Sequence, residues 1–268
     1  MINMKKIILI PSLLISALVL LAGIAGAEEL QNSEAQIKSL IQKGDEQLTQ
    51  ITEANCKEAI QSYEAALKID SDNYEANWKT SKAYCLILDL KTAGLIHEKE
   101  EYKPHLKELG AKAEHYAAAA YAMNPKGLEA LIWYNSSYGY HAASMGIVQA
   151  ILKGAGGKLK KLAGELIEVD DSASDALGYR MLGRFYLSAP FPVGSKKKAV
   201  QYFEQAVRKA PGSLFNHYWL GEAYLMKDKH AEAKREFQFV LDHSPSEGEL
   251  HFSEPTKEAA QKHFSEVT

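Results

Sequence analysis

Leu214-Phe215-Asn216-His217-Tyr218-Trp219-Leu220-Gly221-Glu222-Ala223-Tyr224, followed by Ala233, Phe237 and Pro245, is the stretch that decides the fold. Gly221 and Ala233 are small enough for two antiparallel helices to approach closely. Tyr224 and Phe237 fill the space beside them, and Pro245 stops the second helix. Thirty-four residues earlier, Ala199, Phe203, Ala206 and Pro211 match Ala233, Phe237, Val240 and Pro245 in kind, so the hairpin is repeated. The earlier glycine and tyrosine are Gly183 and Tyr186, 38 positions before Gly221 and Tyr224. The loop between the two helices of that copy is therefore longer; it reads Ser188-Ala189-Pro190-Phe191-Pro192-Val193-Gly194.

Working outward, Glu34 to Gln50 carries Ile37, Leu40, Ile41 and Leu48 at helical spacing with Gly44 in the close-packing position. Lys57 to Ile69 then repeats the small–aromatic–small pattern as Ala59, Tyr63 and Ala66, and Asp70-Ser71-Asp72-Asn73 ends the pair as a turn and cap cluster. A second pair runs from Tyr74 to His97 (Trp78, Ser81, Tyr84) and through Ala113, Ala117 and Ala120 to Pro125. Its excess length either extends both helices or forms a protrusion around Glu98 to Pro104. The third pair holds Leu131, Trp133, Tyr134, Tyr138 and Tyr140, continues to Ile151, is broken by Gly154-Ala155-Gly156-Gly157, and returns over Lys158 to Val169. Pro255 to Phe264 reads as a terminal helix covering the open end, with Glu258, Lys262 and Glu266 on its polar side. The expectation is an all-α solenoid of about five irregular helical hairpins with a C-terminal capping helix, and no alternating strand pattern.

The chain is 46% apolar over 268 residues, enough to bury a large core, and its net charge of −3 offers no basic field for nucleic acid. Lys5-Lys6, an apolar run from Ile7 to Ala22, and Ala25-Gly26-Ala27 form a secretory leader over residues 1–27, with the solenoid domain over 28–268. Cleavage near Glu28 gives a periplasmic or secreted protein; the alternative is an uncleaved anchor helix. No cysteine sits in or after the run to accept a lipid. Cys56 and Cys85 fall at neighbouring helix ends, so they form either a disulfide or two buried thiols. The nine histidines are dispersed, and no catalytic, phosphate-binding or metal motif appears. The sequence implies no enzyme, cofactor or metal site, and His243 and His251 read as solvated surface histidines.

The Gly-Tyr-Ala-Phe-Pro pattern resembles the tetratricopeptide repeat (TPR) family, most regularly over residues 177–247. That resemblance implies that ligands bind on the concave face lined by the first helix of each pair. Counting from Tyr84, Tyr138, Tyr186 and Tyr224 gives Trp78, Lys82, Ile132, Ser136, Tyr140, Arg180, Arg184, Tyr218 and Glu222 as groove candidates. Arg180 and Arg184, four apart, either clamp one carboxylate or pair with an acidic side chain inside the stack. Phe191, between two prolines, either plugs a neighbouring repeat or meets a partner.

A narrower resemblance lies in Gly178-Tyr179-Arg180-Met181-Leu182-Gly183-Arg184-Phe185-Tyr186, the loop to Gly194, Lys198-Ala199 and Phe203-Glu204, together with the irregular second and third repeats. This is similar to the T component of TPR-associated tripartite ATP-independent periplasmic (TRAP) transporters. The Leu-Gly-Arg stretch is also similar to the regulator of microtubule dynamics family, whose compartment the leader argues against. The TRAP resemblance implies a periplasmic homotrimer that docks a solute-binding protein and holds a small organic anion or lipid-like ligand. The other readings are a general secreted TPR scaffold for a peptide or helix of an envelope protein, and a small-molecule carrier acting alone.

Overall fold

The computed structural model describes residues 30–95 and 99–266; the leader at 1–27 and His97 lie outside the described residues. Helix α1 spans residues 30–47 and pairs with α2 (Glu53–Ile69). The pairs α3 (Tyr74–Thr92) with α4 (Lys103–Met123), α5 (Leu128–Ser144) with α7 (Ala155–Val169), α8 (Ala173–Ser188) with α9 (Lys196–Lys209) and α10 (Leu214–Leu225) with α11 (His230–Asp242) follow. A short α6 (Ile147–Leu152) lies inside the third pair, and α12 (Ser253–Glu266) closes the stack. There is no strand among the described residues. Side chains set the starts: Thr52, Asn73, Ser195 and Ser213 each accept a backbone N–H from the first turn of α2, α3, α9 and α10.

The repeated glycine has one physical role. A Cβ on Gly44, Gly183 or Gly221 would fall 2.3, 2.7 and 2.7 Å from the rings of Tyr63, Phe203 and Phe237. Each ring is fully buried against the neighbouring helix, so a methyl group at these sites overpacks the hairpin at a cost of about 1–3 kcal/mol. The excess length expected in the second pair goes mostly into its helices: α3 and α4 have 19 and 21 residues against 12 and 13 in α10 and α11. The remainder forms 3₁₀ turns at Ala93–Leu95 and Glu100–Tyr102, and Glu98 of the expected protrusion lies outside the described residues.

Two expectations need correcting. The third pair breaks first at Gly146, not at Gly154: Gly146 takes φ 72° and Gly154 φ 77°, left-handed values that end α5 early and leave α6 as a separate piece. Cys56 and Cys85 are not bridged; both are free, fully buried thiols. Burial pushes the Cys56 thiol up to about 11 and Cys85 well above its ordinary range, which makes them packing groups and poor nucleophiles.

The capping helix buries Ala259 and Ala260 and exposes Glu258, Lys262 and Glu266, as its pattern implied. His263 joins it to the stack, with Nε2 2.9 Å from Glu222 and Nδ1 3.1 Å from Glu266. The hydrogen bond to Glu222 raises His263 above its ordinary 6.5, burial opposing in part. A folded pKa above the unfolded one stabilises fully below the unfolded value, and the gain is lost as pH rises through the folded value. The protein therefore loses stability relative to His263→Gln as pH rises from the ordinary histidine value through the raised folded one. Thermal melts of both proteins across that range check this; a pH-independent difference contradicts it.

Candidate ligand cavity on the concave face

The first helices of the pairs, α3, α5, α8 and α10, lie side by side on the concave face, and two pieces of the same chain cross it. One is the turn after α3, where Ala93, Gly94 and Leu95 all take left-handed φ values of 49°, 62° and 60°. The other is the 3₁₀ segment Glu247–Phe252. Its anchor is Glu249, only 3% exposed. Oε2 accepts the Leu214 N–H at 2.9 Å, and Oε1 accepts the Phe215 N–H at 3.1 Å and the Ser213 hydroxyl. The unpaired amides and positive dipole end of α10 make this a favourable place for a buried carboxylate. Beside it, the Ser246 hydroxyl donates to Asp175 Oδ2 at 2.9 Å, and the Phe252 ring meets Phe215 at 5.0 Å.

Between these segments and the helices a cavity of about 400 Å³ remains. Leu86, Leu95, Trp133, Leu159 and Phe185 form much of its apolar wall. Asp89 is the centre of its polar side: the Tyr140 hydroxyl donates to one oxygen, and His251 Nε2 lies 3.3 Å from the other. Burial, reinforced by the Asp89 charge, pushes the Tyr140 phenol well above its usual range. Lys82 also lines the cavity. Among the described residues no carboxylate lies within ion-pair distance of its ammonium, which sits 5.8 Å from the Trp133 ring centre. Burial lowers its pKa, Asp45 opposing only in part, so Lys82 is a cation stripped of water without a matching anion.

The two arginines do not converge on one point as the expected clamp requires: their guanidiniums are held by different partners. Ser174, Asp175 and Ala176 open α8 in the left-handed region, with φ of 50°, 55° and 58°, a conformation costing about 1–2 kcal/mol per residue. Their carbonyls turn toward the groove. Arg180 Nη1 donates to Asp175 O at 2.9 Å and Asn216 Oδ1 at 3.0 Å, Nη2 donates to Ser174 O at 3.4 Å, and Asn216 Nδ2 donates to Asp175 O at 2.8 Å. Arg180 thus holds this turn. Arg184 points the other way, donating to Leu95 O at 3.2 Å and Gly94 O at 3.4 Å and lying over the Trp219 ring at 4.5 Å. It ties α8 to the turn after α3.

Of the groove candidates, Lys82, Ser136, Tyr140, Arg180 and Arg184 line the cavity. Trp78 lies beside the Lys79 ammonium instead, and Ile132 packs against the Leu131–Leu166 cluster. Tyr218 and Glu222 are covered, because at the last repeat the concave position is where α12 packs: Tyr218 is buried in the core and Glu222 meets His263. Phe191 is 94% exposed, which removes the plug reading. His243 is exposed as expected, but His251 is a cavity residue and not a solvated one. Asp89 was recoverable from sequence, since it follows Lys82 by two helical turns and so shares its face. Glu249 and His251 were not, because no local pattern reports where a tail folds back.

No family model matches this chain, and no characterised protein matches it in sequence. Among solved structures it is similar to a thermophilic TPR protein of Thermus thermophilus, at 16% identity and TM-score 0.57 over 84% of this chain and 99% of that one. It is also similar to pilF of Pseudomonas aeruginosa, at 13% identity and TM-score 0.52 over 88% and 90% of the two chains. A third likeness, to MamA protein, has 18% identity and TM-score 0.50 over 85% and 94%. At such identities the likeness concerns architecture, and together with the hairpin geometry it establishes that the chain folds as an all-α tetratricopeptide solenoid.

Proposed function

We propose that this protein is a non-catalytic periplasmic TPR protein that holds a small, partly apolar anion in its concave cavity. We further propose that it serves a TRAP-type transporter as a homotrimer docked to a solute-binding protein. The observation that carries the ligand reading is Lys82, an ammonium with its pKa lowered by burial and, among the described residues, no carboxylate within ion-pair distance, beside the apolar wall of the cavity. An anionic group placed there restores the interaction that burial removes, and the neighbouring apolar surface takes the rest of the ligand. The segments crossing the concave face leave room for a small molecule more readily than for an extended peptide, which favours this reading over a general peptide scaffold. The leader over 1–27 supports the compartment, and the resemblance over 178–204 supports the transporter partner.

Decanoate titrated calorimetrically into the chain beginning at Glu28 is expected to bind, and decanol to bind more weakly. Lys82→Met is expected to weaken decanoate about 10- to 100-fold while leaving decanol nearly unchanged. Because burial lowers the Lys82 pKa, decanoate affinity should fall as pH rises through that lowered value. Equal affinities for acid and alcohol, or no effect of Lys82→Met, contradict the anion site. A monomer by light scattering that still binds decanoate keeps the cavity and removes the trimer.

A further inference from the structure

The two rims of the solenoid differ. The first helices of all pairs run one way and the second helices the other, so every connection within a pair lies on one rim and every connection between pairs on the opposite rim. In the last three pairs the within-pair connections fall at residues 145–154, 189–195 and 226–229. Together with the first turn of α9 they carry Lys153, Lys196, Lys197, Lys198, Lys227 and Lys229 against Asp228. The opposite rim carries Asp70, Asp72, Asp170 and Asp171 in its turns, against Lys126. In the second pair the same rim carries Glu100 and Glu101 against Lys99, so in a chain of net charge −3 the positive excess lies on the part of this rim formed by the last three pairs.

That rim also exposes large apolar side chains. Val148 and Leu152, four apart on one face of α6, are 57% and 81% exposed; Phe191 is almost fully exposed, with Val193 and Met226 nearby in the same row of loops. Phe191 is not on a loose tip. Its loop is tied by Val193 N–H and Gly194 N–H to Pro190 O at 3.0 and 2.9 Å, and by Ser195 N–H to Tyr186 O at 2.9 Å. The loops stand together, since Gly156 at the start of α7 abuts the Phe185 ring near the end of α8, and Arg184 of α8 lies over Trp219 of α10.

The lysines work against local stability. Lys196, Lys197 and Lys198 occupy the first turn of α9, where exposed N–H groups and the helix dipole disfavour cations, and the turn has no acidic residue. Lys153, Lys196 and Lys197 have no carboxylate within ion-pair distance among the described residues; Lys229 pairs with Glu232 at 3.0 Å. Three like charges at the positive end of a helix make that end a strong attractor for an external anion.

We propose that this rim docks on an anionic lipid surface, with Phe191 and Leu152 inserted at the headgroup boundary and Lys153, Lys196, Lys197 and Lys198 against the headgroups. Single apolar side chains standing out from separate loops and flanked by cations fit a flat, deformable, negatively charged surface better than the shaped pocket of a protein partner. No helix among the described residues is long and apolar enough to cross a membrane. The proposal is independent of the cavity and its ligand.

The test is sedimentation of the chain beginning at Glu28 with vesicles of phosphatidylcholine alone, or with roughly a third phosphatidylglycerol. Binding to the anionic vesicles is expected at about 0.05 M salt, and its loss at about 0.5 M. The combined Lys196→Gln, Lys197→Gln and Lys198→Gln variant should partition on the order of a hundredfold less. Phe191→Ser and Leu152→Ser should each reduce partitioning about tenfold. All these sites are exposed, so circular dichroism should be unchanged. Absence of binding, or equal binding to neutral vesicles, overturns the proposal. So does binding lost with the lysines but indifferent to Phe191→Ser and Leu152→Ser, which is the signature of charge pairing with an acidic protein.

Discussion

The carboxylate of Glu249 at the start of α10 is the contact on which the character of the concave face depends. A TPR solenoid of parallel first helices has an open groove by construction. Here one buried acid, accepting two amides and a hydroxyl, fastens the segment after the last repeat across that groove. His251 and Phe252 are delivered with it, one to Asp89 and the other to Phe215. Arg184 does the same from the other side by holding the carbonyls of Gly94 and Leu95. The groove becomes a compartment because the chain itself occupies part of it.

The repeats that define the fold were legible because their signal is local and steric. Gly221 against Phe237 and Gly183 against Phe203 demand small and large residues at fixed spacing, whatever else surrounds them. The third pair was less legible, since Gly146, Gly154, Gly156 and Gly157 are all able to break a helix and sequence does not rank them. Lys82, Ser136 and Tyr140 could be placed on the concave face by counting from the repeat tyrosines in the register that the TPR resemblance implies. The roles of Arg180 and Arg184 could not, because both bind backbone carbonyls exposed by left-handed turns, and neither turn is written in glycine at Ser174, Asp175, Ala176, Ala93 or Leu95. Tyr218 and Glu222 had the right register in the wrong repeat, where the capping helix replaces the groove.

Lysines occur in two electrostatic settings. Lys82 lines the cavity with its pKa lowered by burial, while the Arg180 and Arg184 guanidiniums of the same wall are held by backbone carbonyls. The lysines of the loop rim are solvated and numerous, suited to an extended charged surface. The first lies in a cavity and the second at the ends of the hairpins, so the solenoid separates the two settings in space.

The partly covered groove is the claim on which this separation rests, and amide hydrogen exchange tests it most directly. The Leu214 and Phe215 amides begin a helix, and Glu249 is their acceptor. The account predicts slow exchange at both and along residues 247–252, and fast exchange at both in Glu249→Ala with the rest of α10 protected. Fast exchange at Leu214, Phe215 and 247–252 in the unaltered protein would mean that the segment does not seat, and that the concave face is an open groove.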